Sequence, residues 1–261
     1  MADRPMLFSA PMVRALIDGR KTQTRRTLPI PREIQDKILD FHHIGTDTEG
    51  RTVFEMRDHD HNHVFIPAGL HLQTPQFITR IGAGDRLWVR ESITRFDKGT
   101  CDQHVWYRAG RNSAGEGFNI YARTCGLADD EQWPASKEGP AGGAPYNAPS
   151  IHMPRWASRL TLVVTDVRIE RLNAITEADA IAEGIEPVLD YRSPGQTHWK
   201  DYETCDDGTP HPHAVVPFVS PVDSYRSLWD EINGRGAWAT NPWVVAYSFA
   251  VHLAHIDEVP A

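Results

Sequence analysis

Arg159–Leu172, RLTLVVTDVRIERL, carries the clearest strand signal in the chain. Leu160, Leu162 and Val164 alternate with smaller or polar residues, the period of a half-buried strand. Val167 and Ile169 then follow in the opposite phase, which suggests a bulge. Working outward, further strands are expected at Met6–Phe8, Thr52–Met56, Val64–Ile66, Leu87–Glu91, His104–Arg108 and Pro242–His252. The runs Thr52–Met56 and Val64–Ile66 read as a hairpin with RDHDHNH as its polar tip. Short helices are expected between these strands. PMVRALID, from Pro11 to Asp18, has proline at its start and Gly19 at its stop. Pro31–Phe41 is a second helix candidate. TEADAIAEG, from Thr176 to Gly184, has a capping threonine, Asp179 three residues on and a terminal glycine. Ser224–Ile232 is the last, ended by Asn233-Gly234. Strands dominate, and the regular strand–helix alternation of a doubly wound sheet is missing. The expected class is α+β: a small mixed β-barrel with short flanking helices.

At about 150 residues per domain, 261 residues fit one decorated domain or two small ones. The reading adopted is a single domain over residues 1–261, with long insertions near 110–150 and 186–221. The first is rich in Gly, Pro, Ala and Asn, the second in Pro, His and Asp. Hydrophobic residues make up 40% and charged residues 24%, which excludes a wholly disordered chain. Lys and Arg total 27 against 35 Asp and Glu, a net charge of -8, so contact with nucleic acid would require a local basic patch. Cys101, Cys125 and Cys205 are too scattered for a disulfide framework or a CxxC metal site. No stretch reaches the length of a membrane span, and MADRPMLFSAPM has no apolar signal core. A reducing cytosol is the expected compartment.

Two clusters break the acidic balance. From Arg14 to Arg32 there are six bases (Arg14, Arg20, Lys21, Arg25, Arg26, Arg32) and one acid, Asp18. The plain reading is a solvated charged loop. The chemical reading starts from Lys21: burial and neighbouring arginines lower a lysine pKa, and a neutral amine is a general base. It would then take the proton of Thr24 and make a nucleophile of it. In an extended strand, positions 21 and 24 face opposite ways, so this requires a bend between them. A carboxylate is also needed, and Glu91, at the end of LWVRE, is the candidate. The second cluster is His152, Arg155 and Arg159, with Trp156 between, which reads either as a phosphate- and base-binding patch or as an arginine face at a strand start. Trp229 and Trp243 read as core, and Trp238, between Gly236 and Asn241, as a residue for stacking a base. His59, His61 and His63 have the alternate spacing of a metal-binding strand, but their Asp- and Asn-rich setting favours a solvated turn. No metal or cofactor is expected.

GRKTQTRR (Gly19–Arg26) resembles the signature of ASCH domains in the PUA-like superfamily, Gly-x-Lys-x-x-Glu-x-Arg, with Gly19, Lys21 and Arg26 matching. Thr24 stands where many members have Glu. This departure is similar to the small ASCH amidohydrolases that act on N4-acetylcytidine, which use a lysine, a threonine three residues later and a glutamate on a following strand. GDRLWVRE, ITEADAIAEGI and LWDEING…NPWV also resemble ASCH segments of larger, often phage- or prophage-borne proteins. The resemblance implies a PUA-like barrel and an amidohydrolase that removes an acyl group from the exocyclic amine of a modified cytosine nucleoside or nucleotide. Lys21, Thr24 and Glu91 would be catalytic, and Arg26, Arg155, Trp156, Arg159 and Trp238 would bind substrate. The alternatives are a non-catalytic RNA- or DNA-binding module using the same basic groove, and a phage accessory protein.

Overall fold

The computed structural model describes residues 2–48, 51–68, 72–74, 76–97, 103–109, 146–189, 195–203 and 217–260. Along the chain run β1 (Asp3–Leu7), α1 (Ala10–Ile17), β2 (Gln23–Thr27), α2 (Arg32–Gln35), β3 (Asp40–Thr46), β4 (Thr52–Arg57), β5 (Ile66–Ala68), β6 (Leu72–Thr74) and β7 (Gln76–Ile78). They are followed by β8 (Arg86–Arg90), β9 (Ile93–Asp97), β10 (Gln103–Tyr107), β11 (Tyr146–Ala148), β12 (Thr161–Arg171) and α3 (Glu177–Ala182). The last are β13 (Pro187–Val188), β14 (His198–Trp199), α4 (Pro221–Asn233) and β15 (Trp243–His252). The residues group into two compact units: 1–19, 84–164 and 250–261 form the first, and 20–83 and 165–249 the second.

In the first unit β1 runs parallel to β8, Asp3 opposite Arg86 through Leu7 opposite Arg90. The start of β12 lies antiparallel to β8, with Thr161 opposite Trp88. Alternation sends Leu87 and Val89 inward from β8, and Leu162 and Val164 from β12. A second small sheet pairs β9 with β10 and β11. Helix α1 forms as expected: Pro11 occupies its first turn, Met12, Val13, Ala15 and Leu16 make its buried face, and Gly19 at φ +71° ends it.

In the second unit β15 pairs antiparallel with β2, and β4 lies between β3 and β7. Thr176 caps α3 by accepting from the Asp179 amide, and Gly184 takes φ +87° just past its end. Helix α4 starts earlier than its apolar run, because Ser220 accepts from the Asp223 amide and Pro221 fits the first turn.

Three expectations change. The molecule is mixed α+β with several sheets, but none of them closes into a barrel among the described residues. β13 and β14 have two residues each, and β5 and β6 three, too short to continue a ladder around a closed ring. The helix expected over 31–41 stops at Gln35, and Asp40 opens β3. The main partner of Thr52–Met56 is accordingly β3, with β7 on its other side, while the expected hairpin is kept only at its tip, in an isolated antiparallel bridge between Arg57 and His63 and a hydrogen bond from the Val64 amide to the Met56 carbonyl. The RDHDHNH tip is a turn: Asp58 Oδ1 accepts from the amides of Asp60 and Asn62, and His61 sits at φ +61°. Most of the expected insertion at 110–150, part of that at 186–221, all three cysteines, His211 and His213 lie outside the described residues.

Candidate acid–base centre

Lys21 and Thr24 belong to the second unit, Glu91 to the first. Lys21 is 2% exposed, and its Nζ donates to Glu183 Oε2 at 2.7 Å and to the Glu183 carbonyl at 2.8 Å. The main chains of the two residues also meet as an isolated antiparallel bridge. The other carboxylate oxygen, Oε1, accepts from Arg25 Nη1 at 3.1 Å. Arg25 is fully inside, and reaches Glu170 at 2.6 Å and Asp179 at 3.3 Å as well. Gln23 completes the face, accepting from Arg25 and donating to Asp179 and Ser248. Burial, and after it the charge of Glu183, push the hydroxyl of Tyr225, on α4, well above its ordinary 10.0.

The backbone explains how these side chains meet. Within β2, Gln23 and Arg25 share one face, and Thr24 and Arg26 the other. Tyr247 is the register partner of Thr24, so its ring lies on the Thr24 side. Before the strand the alternation breaks. The Thr22 carbonyl accepts from the Phe249 amide of β15, while its own N–H turns away to the Ala182 carbonyl at the end of α3. An extended residue points both groups to one side. Thr22 therefore departs from extended geometry between Lys21 and the strand, and the Lys21 ammonium meets Glu183 beside Arg25, whose face of β2 is opposite to that of Thr24.

The electrostatics follow from burial. Burial pushes the Lys21 amine below its ordinary 10.5, Glu183 pulls it up, and Arg26 and Arg25 push it down again, with a net lowering. Burial also lowers Arg26, against Glu183 and the two tyrosines. Asp179 is displaced upward by burial, but the Gln23 hydrogen bond and the charges of Arg168 and Arg25 leave it below its usual value. The result is a buried site in which one carboxylate is shared by two cations, one of them a lysine whose amine lies below its ordinary value.

Glu183 was absent from the residues expected at the site. A signal for it exists in the sequence: it is the C-cap of α3, where the helix dipole disfavours a carboxylate. An acid placed there points to a cation supplied from elsewhere in the chain.

Glu91 has a different setting. It is 1% exposed and takes both arms of Arg159, Nε to Oε1 at 2.8 Å and Nη2 to Oε2 at 2.9 Å. The Arg159 guanidinium lies 4.0 Å from the Tyr107 ring centre, and the Tyr107 hydroxyl donates to the Ala157 carbonyl. Burial pushes the Glu91 carboxyl up more than Arg159 holds it down.

In the rest of the second basic cluster the arginine is paired, while the Trp156 Nε1–H is buried without a hydrogen-bond partner among the described residues. Arg155 is paired with Asp3 at 2.9 Å and Asp257 at 2.5 Å, and Trp156 packs on the core around Ile93, Tyr107 and Met153. Such pairing offsets the positive potential that a phosphate would need. Trp229 and Trp243 are buried, as expected. Trp238 is half-buried, edge-on to Tyr225. His63 Nδ1 lies 3.2 Å from Glu55, and no group of three His, Cys, Asp or Glu among the described residues is placed to hold a metal ion. No described helix is long and apolar enough to cross a membrane.

Compared with protein-family models, with curated proteins and with solved structures, the chain has no match.

Proposed function

We propose that the second unit carries an amide-hydrolysing centre of the ASCH, PUA-like type, and that its substrate is an N4-acylated cytosine nucleoside or nucleotide. The observation that carries this reading is the buried Lys21 ammonium on Glu183, separated from Thr24 by the bend at Thr22. Glu183, at 2.7 Å, is the carboxylate that exchanges a proton with the lysine, in the role the sequence resemblance gives to Glu91.

Neutral Lys21 takes the Thr24 proton as the Thr24 oxygen bonds to the acyl carbon. Arg26, on the Thr24 face of β2, stabilises the charge developing on the carbonyl oxygen. The carbon–nitrogen bond then breaks, and Lys21 returns the proton to the departing exocyclic nitrogen, releasing the cytosine amine. Water adds to the acyl-threonine ester, gives a proton to Lys21 and frees the acid, which restores the Thr24 hydroxyl.

The test is incubation of the purified protein with N4-acetylcytidine while cytidine is followed chromatographically. Wild type releases cytidine. Thr24→Ala and Lys21→Ala each lower kcat by about a thousandfold or more, as loss of a nucleophile or its base does. Turnover that survives both substitutions, or no turnover by wild type, overturns the reading.

A further inference from the structure

The second unit holds a cavity that none of the residues of the acid–base centre lines. It measures about 530 Å³, within the ~300–1,000 Å³ of a small-molecule site. Two segments wall it: the end of α2, through Ile34, Asp36 and Lys37, and the turn that runs from Asp58 to Phe65.

Both walls are fixed by backbone contacts. The Leu39 amide, just after α2, donates to the Arg57 carbonyl, and the Val64 amide donates to the Met56 carbonyl. Arg57 Nη1 reaches the His61 carbonyl at 3.0 Å, across the turn that Asp58 Oδ1 closes on the amides of Asp60 and Asn62. The cavity therefore keeps its shape without an occupant, and binding has little ordering to offset.

The lining has an apolar part and a charged part. Val64 is buried, but Phe65 leaves 47% of its surface in water, with its ring centre 6.4 Å from that of His63. A scattered exposed phenylalanine needs no explanation, whereas one that opens on a cavity offers its ring to a ligand. On the charged part Asp36, Asp58 and Asp60 stand against Lys37. The Asn62 amide holds the Asp58 carboxyl below its ordinary 3.8, against burial and with help from the Asp60 amide, so this carboxylate is ionised at neutral pH. The side chains of Lys37 and Asp60 make no hydrogen bond or ion pair with another described residue.

These features select the occupant. An anion meets three carboxylates, and a wholly apolar molecule strips them of water without return. A bare metal ion finds no group of three His, Cys, Asp or Glu placed to hold it among the described residues. A cation with an apolar arm satisfies both parts of the lining. We propose that this cavity binds a small organic ammonium ion, its charge beside Asp58 and Asp60 and its apolar arm on Phe65 and Val64. The site is independent of the deacylase reading, because neither Lys21 nor Thr24 takes part in it.

The experiment titrates the full chain with phenethylammonium by isothermal calorimetry. Parallel titrations use hydrocinnamate, an anion with a similar arm, and magnesium chloride. The ammonium binds, and the other two do not. Asp60→Asn removes a charged partner and weakens binding about fivefold. Phe65→Ala removes the ring and weakens it about fivefold, and Lys37→Met removes the like charge and tightens it about twofold. All three side chains are exposed, so each variant unfolds near the wild-type temperature. No heat of binding up to about 10 mM ammonium, equal binding of hydrocinnamate, or displacement of the ammonium by equimolar magnesium overturns the proposal. So does wild-type affinity in both Asp60→Asn and Phe65→Ala. Ammonium binding unchanged in Thr24→Ala keeps this site standing whatever the fate of the deacylase.

Discussion

At Glu91 one carboxylate meets one guanidinium, both oxygens are taken, and an aromatic ring covers the cation. At Glu183 one carboxylate is divided between a lysine and an arginine, and the arginine is itself divided among three acids. Both centres are buried, so both carry the cost of removing charge from water. They differ in what a proton can do there. A guanidinium stays charged at any working pH, and Arg159 with Glu91 therefore forms a fixed strut. A buried ammonium gives up its proton more readily than one in water. Burial by itself distinguishes neither centre; a titratable cation inside a network does, and on it the proposed chemistry rests.

The largest expected effect separates the two by activity. Lys21→Met removes the exchangeable proton but leaves Glu183 with Arg25, so the variant folds with an unfolding temperature near that of wild type while deacylation falls about a thousandfold. The wild-type rate rises with pH as Lys21 loses its proton, and levels off below the ordinary 10.5 because burial lowers the amine. A pH–rate profile that is flat, or that still climbs at 10.5, breaks the comparison from the catalytic side.

Glu91→Gln sharpens it from the structural side. The substitution leaves the Arg159 charge buried without its carboxylate, at a cost of about 3–5 kcal/mol, which lowers the unfolding temperature by roughly 10 °C. Turnover per folded molecule is unchanged. Loss of activity in a variant that keeps its stability would return Glu91 to the chemistry that the resemblance implies for it.

Much of this contrast was readable from local sequence, and the rest was not, for a physical reason. Lys21, Thr24 and the need for a bend between them come from spacing alone, and so do the Thr176 cap and the Gly19 and Gly184 stops, because each depends on neighbours within four residues. Glu183 and Arg159 acquire their meaning from partners 162 and 68 residues away, and periodicity carries no information at that range. The barrel failed in the same way: individual strands such as β8, β12 and β15 were legible, but closure depends on which strands pair. β3 was missed because DFHHIGT is half-exposed along most of its length and shows no apolar alternation to mark it.

A smaller effect probes how the second centre is held. Thr176→Ala removes the side-chain acceptor for the Asp179 amide and costs about 1 kcal/mol. Because α3 positions both Asp179 and Glu183, kcat falls a few-fold, whereas disturbing α1 in the other unit by Gly19→Ala, strained at φ +71°, moves stability with little change in kcat. Equal kcat losses in both variants would show that the two units share the catalytic geometry.

The smallest effect is a pair of opposite pH slopes. The folded-state Glu91 carboxyl is raised above its ordinary 4.5, so between 4.5 and that raised value the folded protein holds a proton that the unfolded chain has lost. Its contribution to stability is full below 4.5 and declines as pH rises through this window. Asp179 is depressed below its ordinary 3.8 by Gln23, Arg168 and Arg25 acting against burial. Its contribution is full above 3.8 and is lost as pH falls through the depressed value. Hydrogen exchange, corrected for its intrinsic pH dependence, reads the two regions separately. On acidification from pH 6 to 3, protection at β8 and the start of β12 rises relative to protection at β2 and α3. Glu91→Gln abolishes the first slope, and Asp179→Asn the second. Parallel slopes in the two regions would mean that both carboxylates answer to one shared field, and the distinction between a fixed strut and a proton-exchanging network would fail.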